Sequence, residues 1–113
     1  MTEPRAMRDP VEAQLEAYNA RDVERFVLCF TDDVVVEDAK GTLLLAGRDA
    51  FRASYAAMFE ASPALHCRVV SRMRAGAFVV DEERVTGRGE AELHVIVVYT
   101  LRDDRIAHVR VLR

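Results

Sequence analysis

The chain has 113 residues, with 16 Lys+Arg against 19 Asp+Glu, a net charge of −3, and half its residues apolar. That is one globular domain with enough apolar residues for a core, which excludes a disordered segment, a second core and a compact basic nucleic-acid binder. No apolar run approaches the roughly 20 residues of a membrane span, and the N-terminal stretch has no apolar signal core, so a cytoplasmic protein with no membrane partner is expected.

Residues 1–8 are polar and read as a flexible N-terminus, leaving 9–113 as a single domain. Asp9-Pro10-Val11-Glu12 is a helix start: an Asp cap, a proline at the first helical position, and an acid three residues after the cap. Val11, Leu15 and Tyr18 make its apolar stripe, and the helix stops near Asn19–Arg21. Asp22 caps a second short helix with the stripe Val23, Phe26, Val27, Phe30, ended by the turn residues Thr31-Asp32-Asp33. The period then changes to two. Val34, Val36 and Asp38 share one strand face, Lys40-Gly41 turns the chain, and Thr42–Ala46 returns. A third helix follows Gly47, burying Phe51, Tyr55, Met58 and Phe59 until Ser62-Pro63 stops it.

Four strands complete the chain. In 65–73, Leu65, Cys67, Val69 and Met73 alternate with His66, Arg68, Val70 and Arg72. Strand 77–86 leads to a turn at Gly87-Arg88-Gly89, strand 91–101 is the longest, and Asp103-Asp104 turns into 105–112. Helices grouped ahead of a strand meander give the α+β class, and the lack of strand–helix–strand alternation and of a Gly-rich phosphate loop excludes Rossmann and P-loop folds. In the longest strand, Leu93, Val95, Val97 and Tyr99 oppose His94, Ile96, Val98 and Thr100, so both faces are largely apolar. A solvated outer face would be polar, so a homodimer through the outer sheet face is expected.

Chemistry has few places to lie. Cys29 and Cys67 have no Cys or His neighbour at ligand spacing, so free buried thiols, no metal and no cofactor are expected. Lys40 is the only lysine beside 15 arginines, so any Schiff-base chemistry would rest on it. Asp38 continues an apolar strand face. A carboxylate there lies at the mouth of, or inside, an apolar concavity, where burial raises its basicity and suits it to proton transfer; alternatively it is a partly solvated turn residue. Strand 77–86 has two candidate inner faces, Phe78, Val80, Glu82, Arg84 or Val79, Asp81, Glu83, Val85, and periodicity does not choose between them. If the first faces in, Glu82 and Arg84 form a pocket ion pair and Arg84 can hold a carboxylate or enolate. His66, His94 and His108 fall opposite the core positions, as surface or interface residues. Tyr18 and Tyr55 lie on apolar helix faces with hydroxyls that can serve a ligand.

The run Arg21-Asp22-Val23-Glu24 through Thr31-Asp32-Asp33-Val34-Val35-Val36-Glu37-Asp38, with Gly41 and Gly47-Arg48-Asp49, resembles ketosteroid isomerases. Ala17-Tyr18-Asn19-Ala20-Arg21-Asp22, Val79-Val80-Asp81-Glu82-Glu83-Arg84-Val85-Thr86-Gly87 and Tyr99-Thr100-Leu101-Arg102-Asp103-Asp104-Arg105-Ile106 resemble uncharacterised SnoaL-like bacterial proteins. Both groups belong to the nuclear transport factor 2-like, cystatin-like superfamily, and the resemblance spans residues 9–113. It implies a cone-shaped, curved antiparallel sheet with three helices in its concave face. It also implies a small apolar molecule bearing a carbonyl as ligand, in a cavity lined by Tyr18, Phe30, Val36, Asp38, Tyr55, Val95, Val97 and Tyr99. The isomerase's general base falls on Asp38, its oxyanion tyrosine on Gln14, its protonated aspartate on Val97, and its supporting tyrosines on Phe30 and Tyr55. The base matches and the oxyanion donors do not, which argues against steroid isomerisation, since losing one such donor costs roughly 10²–10³ in rate. The same register turns Glu82 and Arg84 toward the pocket. The expected function is isomerase- or cyclase-type proton transfer by Asp38, with non-catalytic small-molecule binding or dimerisation as the alternative.

Overall fold

A computed structural model describes residues 9–89 and 91–113; the expected flexible segment 1–8 lies outside the described residues. The elements run α1 (Pro10–Ala20), α2 (Val23–Val27), β1 (Phe30–Asp38), β2 (Leu43–Ala46), α3 (Arg48–Ala61), β3 (His66–Ala75), β4 (Phe78–Thr86), β5 (Leu93–Arg102) and β6 (Arg105–Leu112). The strands form one open six-stranded sheet in the order β2-β1-β6-β5-β4-β3. All neighbours pair antiparallel except β1 and β6, which run parallel and bring the first strand beside the last. No described helix is long and apolar enough to cross a membrane.

Local chemistry sets the helix ends. Asp9 accepts the Val11 amide at 3.0 Å, and Pro10 opens α1. The helix closes on Arg21 in the left-handed region at φ 53. The adjoining residues fasten this end to the start of β3. Asn19 bonds both backbone groups of Cys67, at 2.9 and 2.7 Å, and the Arg21 guanidinium donates to the Leu65 carbonyl at 2.8 Å. Beside that point, just after β4, Gly87 has φ +82, and a Cβ there would lie 2.1 Å from the Ala64 carbonyl oxygen, so only glycine lets this turn pass so close to the chain leading into β3.

The core under the helices is aromatic. Phe26 from α2 meets the rings of Tyr18, Phe30, Phe51, Tyr55 and Phe59, stacking flat on Phe51 at 5.5 Å. Phe30 corrects the expected helical stripe. It opens β1 rather than closing α2, and it is buried in this cluster rather than on a cavity wall. Thr31-Asp32-Asp33 is likewise part of β1, not a turn. An irregularity between Phe30 and Val35 takes up the polar residues, with Asp33 paired to Arg102 at 2.6 Å and Asp32 to Arg48 at 3.0 Å.

A second irregularity lies in β3 between Val69 and Ser71. It reverses the expected alternation, so that Arg72 stands opposite inward Asp81 while Met73 is exposed on the outer face. The outer face carries Met73, Phe78 and Ile96, all exposed, among ionic groups. Of these, Glu82 contacts His94 at 2.7 Å, and Glu37 contacts His108 at 2.8 Å and Arg110 at 2.9 Å. Hydrogen bonds from Arg110 and His108 hold Glu37 below the usual carboxylate range, and bonds from His94 and Ser71 do the same for Glu82.

Candidate functional site

A cavity of about 580 Å³ opens between the helices and the sheet, at the end where β1, β4 and β6 finish and β5 begins. Gln14 and Tyr18 of α1, Tyr55 and Met58 of α3, and Val36, Val95, Val97, Tyr99 and Val109 of the sheet line its walls. The inward face expected for β5 is the observed one: Val95, Val97 and Tyr99 are buried there, and Leu93 lines the same cavity. Tyr18 and Tyr55 present phenol rings to the cavity, and neither hydroxyl has a hydrogen-bond acceptor among the described residues. Burial pushes both phenols above their ordinary range, so they are donors rather than phenolates.

On β4 the inner face is Val79, Asp81, Glu83 and Val85; Glu82 and Arg84 point outward. This corrects the expected pocket ion pair. Glu82 bonds Ser71 and His94, and Arg84 bonds Glu92 at 3.1 Å, so the two are not paired with each other. Register is the reason. Asp81 stands opposite Val97 and Glu83 opposite Val95, and directly paired residues share a sheet face.

The two inward acids have different partners. Asp81 is wholly buried and held by Nε and Nη2 of Arg72, at 2.6 and 2.9 Å, while Nη1 of Arg72 reaches Glu12 of α1 at 3.2 Å. Glu83 is buried on the cavity wall and has no cation in contact among the described residues. Its partners are neutral: the Tyr99 hydroxyl donates to its Oε2 at 3.1 Å, Gln14 Nε2 donates to that hydroxyl at 3.3 Å and to the Val11 carbonyl at 3.0 Å, and the Cys67 thiol is a further weak donor. Burial raises the Glu83 pKa above the usual carboxylate range, and the Asp81 charge adds to the shift; the bonds from Cys67 and Tyr99 and the Arg72 charge oppose it. The same burial, with Glu83 close by, pushes Tyr99 and Cys67 up, so phenol and thiol keep their protons. The result is a carboxyl biased toward its acid form, facing an apolar space.

Asp38 lines the cavity at its mouth, half-buried at the end of β1. It is not enclosed by apolar side chains. Its Oδ1 accepts the backbone N–H groups of Lys40 and Thr42, each at 2.9 Å, and so forms the β1–β2 turn, while Oδ2 has no partner among the described residues. Of the residues expected at the site, Gln14, Tyr18, Asp38, Tyr55, Val97 and Tyr99 therefore converge on one cavity. Phe30 lies behind it in the core, and Glu82 and Arg84 lie on the opposite face. Sequence reasoning missed Glu83 as a site residue. The signal that finds it is cross-strand register with the apolar inner face of β5.

This architecture recurs in solved structures. A cystatin-fold protein from Novosphingobium aromaticivorans is 28% identical, with a TM-score of 0.86 over 92% of this chain and 95% of that one. An NTF2-like protein from Cytophaga hutchinsonii is 14% identical, with a TM-score of 0.79 over 97% of this chain and 90% of that one. An LEH-like epoxide hydrolase from M. tuberculosis is 20% identical, with a TM-score of 0.77 over 96% and 82%. No curated protein matches the sequence. Residues 11–109, nearly the whole domain, match the model of the SnoaL-like domain. The chain thus belongs to the SnoaL-like domain family, with the cystatin-like, nuclear transport factor 2-like fold.

Proposed function

We propose that the cavity binds a small, largely apolar molecule bearing a carbonyl group and that Glu83 and Asp38 move protons on it. The observation that carries this reading is Glu83: a carboxyl kept from water, without a cation among the described residues, on the wall of a cavity large enough for a small organic ligand. A carboxylic acid held neutral by its surroundings donates a hydrogen bond where a carboxylate cannot. In the step proposed, Glu83 gives its proton to the carbonyl oxygen while Asp38, through the free Oδ2, takes a proton from the adjacent carbon. The C–H bonding pair becomes the C=C bond of an enol. Running the step backward after exchange with solvent returns a different hydrogen to that carbon.

Deuterium incorporation into the methyl group of acetophenone in D₂O, followed by proton NMR, tests the reading. The parent protein should exchange these hydrogens well above the buffer rate. Glu83→Gln and Asp38→Asn should each lower the protein-catalysed rate at least about 100-fold. Loss in Glu83→Gln with none in Asp38→Asn removes Asp38 as the base. Exchange at the buffer rate in the parent, with acetophenone bound, leaves a binding module without catalysis.

We also infer that the outer sheet face packs on a second copy of this chain. Met73, Phe78 and Ile96 are exposed there beside groups of both signs, Glu82 and Glu37 with Arg84 and Arg110, a mixture that complements itself under a two-fold rotation. Light scattering after size exclusion should give a dimer for the parent and a monomer for Phe78→Glu. A monomeric parent contradicts the inference.

A further inference from the structure

The cavity is lined by cations as well as acids. Most of the described arginines elsewhere are engaged: Arg25 with Glu16, Arg48 with Asp32, Arg52 with Glu24, Arg72 with Asp81, Arg74 with Asp9, Arg84 with Glu92, Arg102 with Asp33, and Arg110 with Glu37. Arg21 caps backbone carbonyls. Among the described residues, the basic side chains left without a carboxylate or carbonyl partner are Lys40, Arg68, Arg88, Arg105 and Arg113, and Lys40, Arg88 and Arg113 all line the same cavity.

Topology gathers them there. Lys40 lies in the β1–β2 turn, Arg88 in the turn after β4, and Arg113 follows β6. Because β1 and β6 run parallel and β5 is antiparallel to both β4 and β6, these three positions end at one edge of the sheet. That edge is the open end of the cavity, whose inner walls are mainly apolar side chains and tyrosine rings. Among the described residues, the carboxylate side chains lining it are Asp38 and Glu83. Asp38 offsets one of the three cations, and Glu83 is biased toward its neutral form, so the described side chains at the mouth keep a positive excess in a chain whose net charge is −3. Arg88 bears electrostatically on both Tyr18 and Tyr55, and Arg113 on Tyr55, so this charge reaches the ligand space rather than only bulk water.

We propose that the ligand carries an anionic group as well as its carbonyl, with the anion held at the mouth by Lys40, Arg88 and Arg113 and the apolar carbonyl end directed inward to the tyrosine hydroxyls and Glu83. This names the substrate class of the site described above and rests on that reading. The class is a keto acid or an aromatic carboxylate rather than a neutral ketone. Arg88 supplies a planar fork that matches an oxyanion, and Lys40 supplies a mobile point charge. The arrangement also orients the ligand, since only one end of such a molecule carries charge.

The test uses a matched pair, acetophenone and para-acetylbenzoate, which differ by one carboxylate, with binding read by calorimetry. The parent should bind para-acetylbenzoate about tenfold more tightly or better, because two or three partly exposed ion pairs each add a modest increment. The advantage should shrink at high salt and vanish in the double variant Lys40→Met, Arg88→Met, while that variant's affinity for acetophenone stays within about twofold. Both positions are exposed and unpartnered, so the variant should melt like the parent. Equal or tighter binding of acetophenone by the parent overturns the anion inference and leaves the proton-transfer reading intact. A carboxylate advantage that survives in the double variant overturns it too. If neither compound binds, the inference and the reading beneath it fall together.

Discussion

Asp81→Ala should lose about 3–5 kcal/mol of folding stability, measured from the urea midpoint at neutral pH. Asp81 has no exposed surface, and both of its oxygens are held by Arg72. Truncation would leave a mostly enclosed guanidinium with one half-exposed partner, Glu12. A buried charge that loses its partner keeps its desolvation cost, which is why this change is severe while an exposed pair is worth about 0–1 kcal/mol. Glu92→Ala, which breaks the exposed pair with Arg84, is the matched control and should cost less than about 1 kcal/mol. A small loss in Asp81→Ala would mean that Arg72 swings out to water. The same pair matters to the site: Arg72 is committed to Asp81, which leaves Glu83 beside a negative neighbour and, among the described residues, with no cation of its own.

Phe26→Ala should be as damaging, at about 3–5 kcal/mol, with the cavity weakened along with the core. Phe26 and Val27 are the buried residues of α2, a five-residue helix too short to persist alone, and Phe26 is the larger anchor. Its ring touches five others, two of which, Tyr18 and Tyr55, form cavity walls. Removing it opens a void among rings that cannot all collapse inward, and it frees both phenols from their fixed positions. Urea unfolding and acetophenone affinity should therefore fall together. Phe26→Leu fills most of the volume and should recover most of both. Full stability in Phe26→Ala with ligand binding lost would mean that the ring serves the cavity and not the core.

Much of the framework is legible in the residues. The Asp9-Pro10 start, the Lys40-Gly41 turn and the Ser62-Pro63 stop each name a local conformation that no distant contact overrides. The inward face of β5 follows from period two, and Asp38 is placed at the mouth because it ends β1 just before a turn. The failures share one cause, which is that local pattern carries no register. On β4 the inward face is interrupted by Asp81 and Glu83, and the outward one by Glu82 and Arg84, so apolarity cannot choose between them. Pairing with Val97 and Val95 does choose, and it reverses the resemblance-based placement of Glu82 and Arg84. The irregularity at Val70 that brings Arg72 to Asp81 leaves no mark in the alternation of β3. Phe30 fits a helical stripe and a strand start equally well by spacing, and the aromatic cluster decides between them.

The central claim is that Glu83 holds a proton in the folded protein over a pH range where an ordinary glutamate has lost it. In the unfolded chain the group titrates near 4.5, whereas folded it titrates higher. Its contribution to stability is therefore complete below the unfolded value and is lost as pH rises through the folded one. The decisive measurement is the unfolding free energy of the parent minus that of Glu83→Gln as a function of pH. Any fixed cost of the substitution, such as an altered bond to Tyr99, shifts this difference without changing its slope. The difference should fall with rising pH above 4.5, by up to about 1.4 kcal/mol per pH unit, and level off once Glu83 ionises in the folded state. A difference that is flat across that window, or that rises with pH, would show Glu83 ionised like a surface carboxylate and would remove the acid from the proposed reaction.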